Sequence, residues 1–499
     1  MGNKRLYWPA KSNYIPQAAA LSKPKKDFVY DAIFIGGGAA GRFGSSFLRA
    51  MGGTQFTFEM DNHLGGQCCK HNCVPEHFAY DNSVYMDHLR WFGGHMWFPE
   101  LQQDKFDMAP IFDVFRKVRD TNVYQFMTDQ SKGQLGVEFD IYKEVKIIDP
   151  NTVEVDGEKY RAKNLVIGTG ARPRIPDIPG VNLPGVLTNR ELVCIDYEPK
   201  KIVVIGQGKT SSGYTSFFRS CGCDVTIVNR SPIYRWLDDD VREFVISNMK
   251  RRGIKIHEGV NIKEIKGVDR VEAVVFEENG KIVEIPCDTV FLGTGVIPNS
   301  EVAKPLGLKI GPNNEIVVNK KFQSSIPNVY AIGDTAGPPY VMSKARQSGM
   351  IAAKNIMGEE TEMMDRTIPE FMFTTYEVSW CGLTEKECRE KYGDAVVIKM
   401  PPDKLDIGLP LAERSMIMAH LHPEMSGYQK AIIEPKSRRF VGFWHVGYGA
   451  KAAFQYLPVL MDKGLTVDEM ATFHELFLNA EHFIQLTRLR AGQKKLSNL

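Results

Sequence analysis

No stretch of the 499-residue chain holds the about 18–20 uninterrupted apolar residues that a membrane-spanning helix needs. The apolar run at residues 18–21 is too short for the core of a secretory leader. Neither charge sign dominates: 62 Lys and Arg stand against 60 Asp and Glu, a net charge of +2. A nucleic-acid or membrane-surface partner therefore has no electrostatic support. Cysteine is scarce too, and nine residues are too few for a secreted scaffold stapled by disulfides. Cys194, Cys221, Cys223, Cys287, Cys381 and Cys388 are scattered among core-like neighbours, as in a reducing compartment, and a cytoplasmic protein is expected. With 43% hydrophobic and 24% charged residues the chain is not disordered, and its length suits about three domains.

Residues 1–28 read as an irregular arm. Residues 31–35 (DAIFI) are a buried-strand pattern that runs into Gly36-Gly37-Gly38-Ala39-Ala40-Gly41. A helical stretch to Met51 follows, then a second strand at 54–59 (TQFTFE). Strand, GxGxxG, helix, strand and terminal acid form the dinucleotide fingerprint. Gly36, Gly38 and Gly41 permit a tight turn and close approach of a pyrophosphate, the helix N-terminus attracts its charge, and Glu59 suits ribose hydroxyls.

The pattern recurs at 201–228, where KIVVI leads into Gly206-Gln207-Gly208-Lys209-Thr210-Ser211, a helix and the strand DVTIV. Ser211 replaces the third glycine. The position equivalent to Glu59 is Asn229, followed by Arg230. A guanidinium in place of a carboxylate favours a ribose 2′-phosphate, so Arg230 points to NADPH, with Arg235 as a weaker candidate. Two such folds imply two dinucleotides, and FAD with NADPH is the natural pair. Residues 165–171 (LVIGTGA, containing Gly170) and 291–295 (FLGTG) are strands entering glycine turns where the chain crosses between the folds. Residues 325–334 (SIPNVYAIGD) deliver Asp334 to a loop, where it suits the ribityl chain of a flavin.

Directly after the first fold's second strand comes Leu64-Gly65-Gly66-Gln67-Cys68-Cys69-Lys70-His71-Asn72-Cys73-Val74-Pro75. With the two fingerprints, this segment is similar to the redox-active pair of the pyridine nucleotide-disulfide oxidoreductase family, from about residue 30 to the C-terminus. The resemblance implies an α/β fold with two Rossmann-like domains, an FAD-binding domain at 29–195 and 300–358 and an NADPH-binding domain at 196–299. It also implies a C-terminal α+β dimerisation domain at 359–499, whose far end reaches into the active site of the partner in a homodimer. Residues 75–135, rich in Trp, His, Phe and Met (Trp91, His95, Met96, Trp97, Phe98), read as a packed helical insertion, with a lid over the pocket as the alternative.

By the same resemblance Cys73 is the flavin-side thiol and Cys68 the interchange thiol. In a regular helix, residues five apart have Cα atoms roughly 8.6 Å apart and residues four apart roughly 6.2 Å. A disulfide rarely exceeds about 7 Å. Cys68–Cys73 therefore needs a distorted helix start, Cys69–Cys73 fits an undistorted one, and the extra Cys69 leaves both pairings open. A metal site formed by Cys68, Cys69, His71 and Cys73 is the disfavoured alternative, and no metal is expected. Glu76-His77 stand where typical members carry Ser-Lys, so the lysine near the flavin is missing.

Typical members end with His-Pro-Thr-x-x-Glu, a histidine acid oriented by a glutamate. Here Phe477 occupies the histidine position and His482 the glutamate position. Phenylalanine cannot protonate a leaving thiolate. An enolate survives to meet an electrophile only where acid and water are kept away. The Phe…His replacement together with HNCVPEH, HVGYGAKAAFQYL and EHFIQLTRLRAG resembles the carboxylating branch of the family, which cleaves the thioether of 2-ketopropyl-coenzyme M and traps the enolate with carbon dioxide. That likeness implies sulfonate binding by Arg42 and Arg346, an apolar wall from Met342, charge stabilisation by His482 held by Glu469, and a carbon dioxide or carboxylate contact from Gln485. A related reductase of another small thiol, acting without carboxylation, is the rival. A non-catalytic flavoprotein is disfavoured by the retained cysteine pair.

Overall fold

The computed structural model describes residues 21–90, 105–364, 368–400, 427–447, 449–472 and 492. Strand β1 (Val29–Ile35) lies between β2 (Gln55–Phe58) and the strand Glu158–Ile167, parallel to both, with Ile33 opposite Phe56 and Leu165. Ala32, Ile33 and Phe34 are fully buried, as expected of a parallel strand covered on both faces. The short strand Val329–Ala331 joins this sheet beside Glu158–Ile167 and leads to Asp334. Helix α1 (Ala39–Ala50) follows the glycine turn and crosses the helix Met342–Ile356 closely at Gly44 and Gly349. That crossing sets Arg42 and Arg346 near one another.

A second parallel sheet runs in the order Lys255–Glu258, Asp224–Asn229, Lys201–Ile205, Thr289–Leu292, Val186–Leu187. Val186–Leu187, N-terminal to the expected boundary at 195, pairs with Thr289–Leu292 in this second sheet. A three-stranded antiparallel sheet spans Asn261–Lys266, Ala273–Glu278 and Lys281–Pro286. The C-terminal region forms an antiparallel five-stranded sheet ordered Glu370–Phe373, Glu377–Gly382, Phe440–Gly447, Tyr428–Ile433, Val396–Met400. Its buried Lys430 is paired with Asp238, Asp240 and Glu385, joining this sheet to the second nucleotide domain. Within residues 75–135 the described part is helical, with Met108–Val118 and Tyr124–Asp129 interleaved with π-helical turns at Arg119–Val123 and Gln130–Gln134. Trp91, His95, Met96, Trp97 and Phe98 lie outside the described residues.

Candidate active site

The two cysteines sit on two helices rather than one. Helix α2 (Gly66–Lys70) carries Cys68, and α3 (Cys73–His88) begins with Cys73. Between them the backbone leaves helical geometry at His71 (φ −137°, ψ −10°) and Asn72 (φ −123°, ψ −100°). The break is held from the second nucleotide domain: Asn189 Nδ2 donates to the His71 carbonyl at 3.0 Å, and Thr210 Oγ1 to Asn72 Oδ1 at 3.2 Å. The distorted helix start that a Cys68–Cys73 pair requires is thus present, and the two thiols are hydrogen-bonded. Cys69 is turned the other way, buried against Gly65, and burial pushes its thiol up to about 12.

The hydrogen bond from Cys73 holds the Cys68 thiol below the ordinary thiol range; burial opposes this and Arg346 assists it. The same hydrogen bond, together with burial, pushes Cys73 well above that range. The pair is therefore asymmetric, with the negative charge favoured on the half-buried Cys68.

Cys68 lies against the start of the helix Met342–Ile356. Its Sγ lies 3.7 Å from Sδ of the exposed Met342, the first residue of the helix Met342–Ile356, and Arg346 is one turn further along. The Arg346 guanidinium lies 4.6 Å from the Phe43 ring centre, and that of Arg42 lies 5.3 Å from it. Arg42 is buried, and its Nη1 donates to Gln130 Oε1 at 2.9 Å and to Ser131 Oγ at 3.4 Å. Burial, and then the charge of Arg346, depress the pKa of Arg42. Among the described residues no carboxylate pairs with either arginine. Two cations share one neighbourhood without a counter-charge, which is an arrangement suited to an oxyanion.

The first glycine loop fits a pyrophosphate. A Cβ on Gly41 would overlap the Gly36 carbonyl oxygen, and one on Gly36 (φ +103°) would stand 2.5 Å from that of Gly168. Gly38 caps α1 without a side-chain partner, leaving backbone N–H groups of its first turn free for an anion. The loop is tied to the redox segment by the Gly38–Gly65 bridge and by Gly65 N donating to Gly37 O at 2.9 Å. Glu59 accepts from the backbone N–H of Gly37 at 2.7 Å and of Asp61 at 2.8 Å, and burial followed by the Asp61 charge raises it to about 7. Gly170 N donates to Thr335 Oγ1 at 2.7 Å, next to Asp334, whose carboxyl is raised by burial. Lys344 donates to the carbonyls of Gly333 and Gly337 around that loop.

In the second loop Gly206 (φ +86°) packs against Gly293, and Ser211 Oγ accepts from Gly208 N at 2.7 Å. Asn229 Oδ1 accepts from Gln207 N at 3.2 Å, so the residue replacing the acid braces the loop. Arg230 is exposed, with no hydrogen bond or ion pair among the described residues.

Phe477, His482 and Gln485 lie outside the described residues. Glu469, expected to hold His482, is exposed, and its Oε2 is engaged locally. It accepts from Thr466 N at 2.8 Å and from Thr466 Oγ1 at 2.9 Å, closing a capping box on the helix Val467–Met470. Among the described residues no group of three or more His, Cys, Asp or Glu is arranged to hold a metal ion, and no helix is long and apolar enough to cross a membrane.

Sequence reasoning did not find Phe43, Gln130 or Ser131 as neighbours of Arg42. Gln130 is 88 positions away, and no local pattern reports such a contact. Glu76 was noted only for what it replaces. In the fold it is buried on the first turn of α3 and interacts electrostatically with Cys68 and Cys73.

Comparison with known proteins agrees with this geometry. The pyridine nucleotide-disulphide oxidoreductase profile matches residues 30–349, and the dimerisation domain of the same family matches residues 368–476. The chain belongs to the pyridine nucleotide-disulphide oxidoreductase family. It is 24% identical to a mercuric reductase of Staphylococcus aureus, over 93% of this chain and 83% of that one. It is 25% identical to a dihydrolipoyl dehydrogenase of Mycoplasma pneumoniae (89% and 94%) and 27% identical to a glutathione reductase of Nostoc (92% and 99%). Its fold is similar to that of the HOCl-induced flavoprotein disulfide reductase RclA from Escherichia coli, with a TM-score of 0.78 at 19% identity over 93% of this chain and 99% of that one. As a pyridine nucleotide-disulphide oxidoreductase, the chain is a flavoenzyme that uses FAD and NAD(P)H.

Proposed function

We propose that this flavoenzyme is a 2-oxopropyl-coenzyme M reductase (carboxylating). It would take electrons from NADPH, cleave the thioether of 2-ketopropyl-coenzyme M, and join the resulting enolate to carbon dioxide as acetoacetate. One cluster carries the proposal: Arg42 and Arg346, without a counter-charge among the described residues, beside Met342 and the Cys68 sulfur, whose pKa is lowered. A sulfonate bound by two guanidiniums would bring the neighbouring thioether to Cys68.

When bound, FAD would supply from NADPH the two electrons needed to open a Cys68–Cys73 disulfide. Gly36, Gly38, Gly41, Glu59, Gly170 and Asp334 would hold FAD, while Gly206, Gly208 and Arg230 would hold NADPH, Arg230 through the 2′-phosphate. Cys68 thiolate then attacks the thioether sulfur. A Cys68–coenzyme M disulfide forms, the carbon–sulfur bond breaks, and its electron pair leaves as the enolate of acetone. Phe477 offers no proton, so the enolate attacks carbon dioxide. His482, held by Glu469, stabilises the negative charge, and Gln485 contacts carbon dioxide or the product carboxylate. Cys73 attacks the mixed disulfide and frees coenzyme M. The dimerisation domain supports a homodimer, in which the partner's C-terminal region would complete the site.

NADPH consumption on adding 2-ketopropyl-coenzyme M to the purified flavoenzyme is the test. Turnover with that thioether supports the proposal. Turnover only with disulfides that lack a sulfonate would leave a reductase of another small thiol.

A further inference from the structure

Lys209 stands where a cation is out of place. It is the first residue of the helix Lys209–Ser220, directly after Gly208 in the second glycine loop. A helix N-terminus carries partial positive charge, so a lysine there is unfavourable unless an anion accompanies it. No anion comes from its own helix: the first turn holds no acidic residue, and Gly208, the N-cap, has no side chain to accept from the N–H groups. A carboxylate comes instead from another domain. Lys209 Nζ is ion-paired with Glu370, the first residue of the strand Glu370–Phe373 at the edge of the C-terminal sheet. The same ammonium lies 5.2 Å from the ring centre of Trp380, which stands opposite Glu370 on the neighbouring strand.

Two features make this pair exchangeable rather than a permanent tie between domains. The side chains of Lys209 and Glu370 are 33% and 26% exposed, so water reaches the pair and weakens it. The same two domains are already joined by Lys430, whose side chain is only 1% exposed and is held by Asp238 and Asp240. The pyrophosphate of a dinucleotide belongs at the N-terminus of the helix that follows a glycine loop, and Lys209 borders that position. We propose that Lys209 is a ligand of the nicotinamide dinucleotide pyrophosphate and that Glu370 competes with the pyrophosphate for the same ammonium. This inference rests on the second glycine loop holding the dinucleotide, but not on the identity of the thioether. Binding then gives up the Lys209–Glu370 pair and leaves a carboxylate near the incoming anion, so Glu370 sets the affinity below what the loop and Lys209 would reach by themselves. By linkage, the bound dinucleotide loosens the contact of the edge strand Glu370–Phe373 with the helix Lys209–Ser220. The pyrophosphate is common to NADP+ and NAD+, so Lys209 and Glu370 act on both alike, unlike a residue that reads the 2′-phosphate.

The test is calorimetric titration of the oxidised holoenzyme with NADP+ and, at the higher concentrations it needs, with NAD+. K209M should weaken both nucleotides by about 10-fold, the scale of a hydrogen bond to a charged group. E370Q should tighten both by about 2- to 5-fold, the scale of an ion pair that water reaches. A gain of affinity cannot come from a damaged fold. In the K209M background the gain from E370Q should be much smaller, because the ammonium in contention is gone. Unchanged or weakened binding in E370Q overturns the proposal and leaves the pair as a domain tie. An undiminished gain in the K209M background also overturns it, since Glu370 would then act by repulsion alone. So does a loss in K209M confined to NADP+, which would assign the lysine to the 2′-phosphate. An unmodified holoenzyme that binds neither nucleotide would contradict the dinucleotide site itself, and the proposal with it.

Discussion

Met342 Sδ stands 3.7 Å from Cys68 Sγ, and Arg346 lies one turn further along the same helix. The nucleophile, a soft apolar wall and a cation are therefore arrayed in order, matching a thioether joined by a short chain to an anion. Replacing Arg346 or Arg42 by Gln should raise KM for a sulfonate-bearing substrate about 10- to 100-fold each, the 1.5–3 kcal/mol of a charge-assisted hydrogen bond. Uncharged analogues should lose little. Steady-state kinetics with a matched pair of substrates measures the difference.

The depressed pKa of Cys68 has a definite pH signature. Its reactive thiolate should persist below the ordinary thiol value of about 8.5 and disappear only as pH falls through the lowered value. Cys73→Ala removes the largest cause of the depression, and Arg346→Gln a smaller one, so both should move the profile upward, Cys73→Ala further. Iodoacetamide labelling of Cys68 across pH, read by mass spectrometry, checks the order.

Gly41→Ala should abolish flavin retention, because the added methyl group meets the Gly36 carbonyl oxygen within the loop. The purified variant should be colourless, while Gly170→Ala, which has no atom within 4 Å of the added carbon but must hold φ +66°, should retain more flavin. Absorbance against protein concentration decides this.

Arg230→Ala should raise KM for NADPH by about 10- to 100-fold and leave that for NADH nearly unchanged, since only the former carries the 2′-phosphate. Equal effects on the two nucleotides would remove Arg230 from that role.

Local chemistry made much of this legible in the sequence. Both glycine fingerprints announce strand, turn and helix, because only glycine fits where Gly36 meets Gly168 and where Gly206 meets Gly293. Arg42 and Arg346, 304 positions apart, became neighbours through family resemblance alone, since sequence spacing carries no crossing of helices. The helix break at His71 and Asn72 depends on Asn189 and Thr210, which lie more than 100 positions away, so spacing arithmetic left two cysteine pairings open. Glu469 shows the opposite case: Thr466-x-x-Glu469 is a local capping signal that a search for catalytic acids passed over. Val186–Leu187 is too short to carry a pattern, and only its pairing reveals its place in the second sheet.

The measurement that bears most directly on carboxylation is product partition. Purified protein is supplied with NADPH, 2-ketopropyl-coenzyme M and labelled bicarbonate, and acetoacetate is quantified against acetone. Labelled acetoacetate is the expected main product, with Phe477→His shifting the balance toward acetone. Acetone alone from the unmodified protein would contradict the proposed trapping of the enolate.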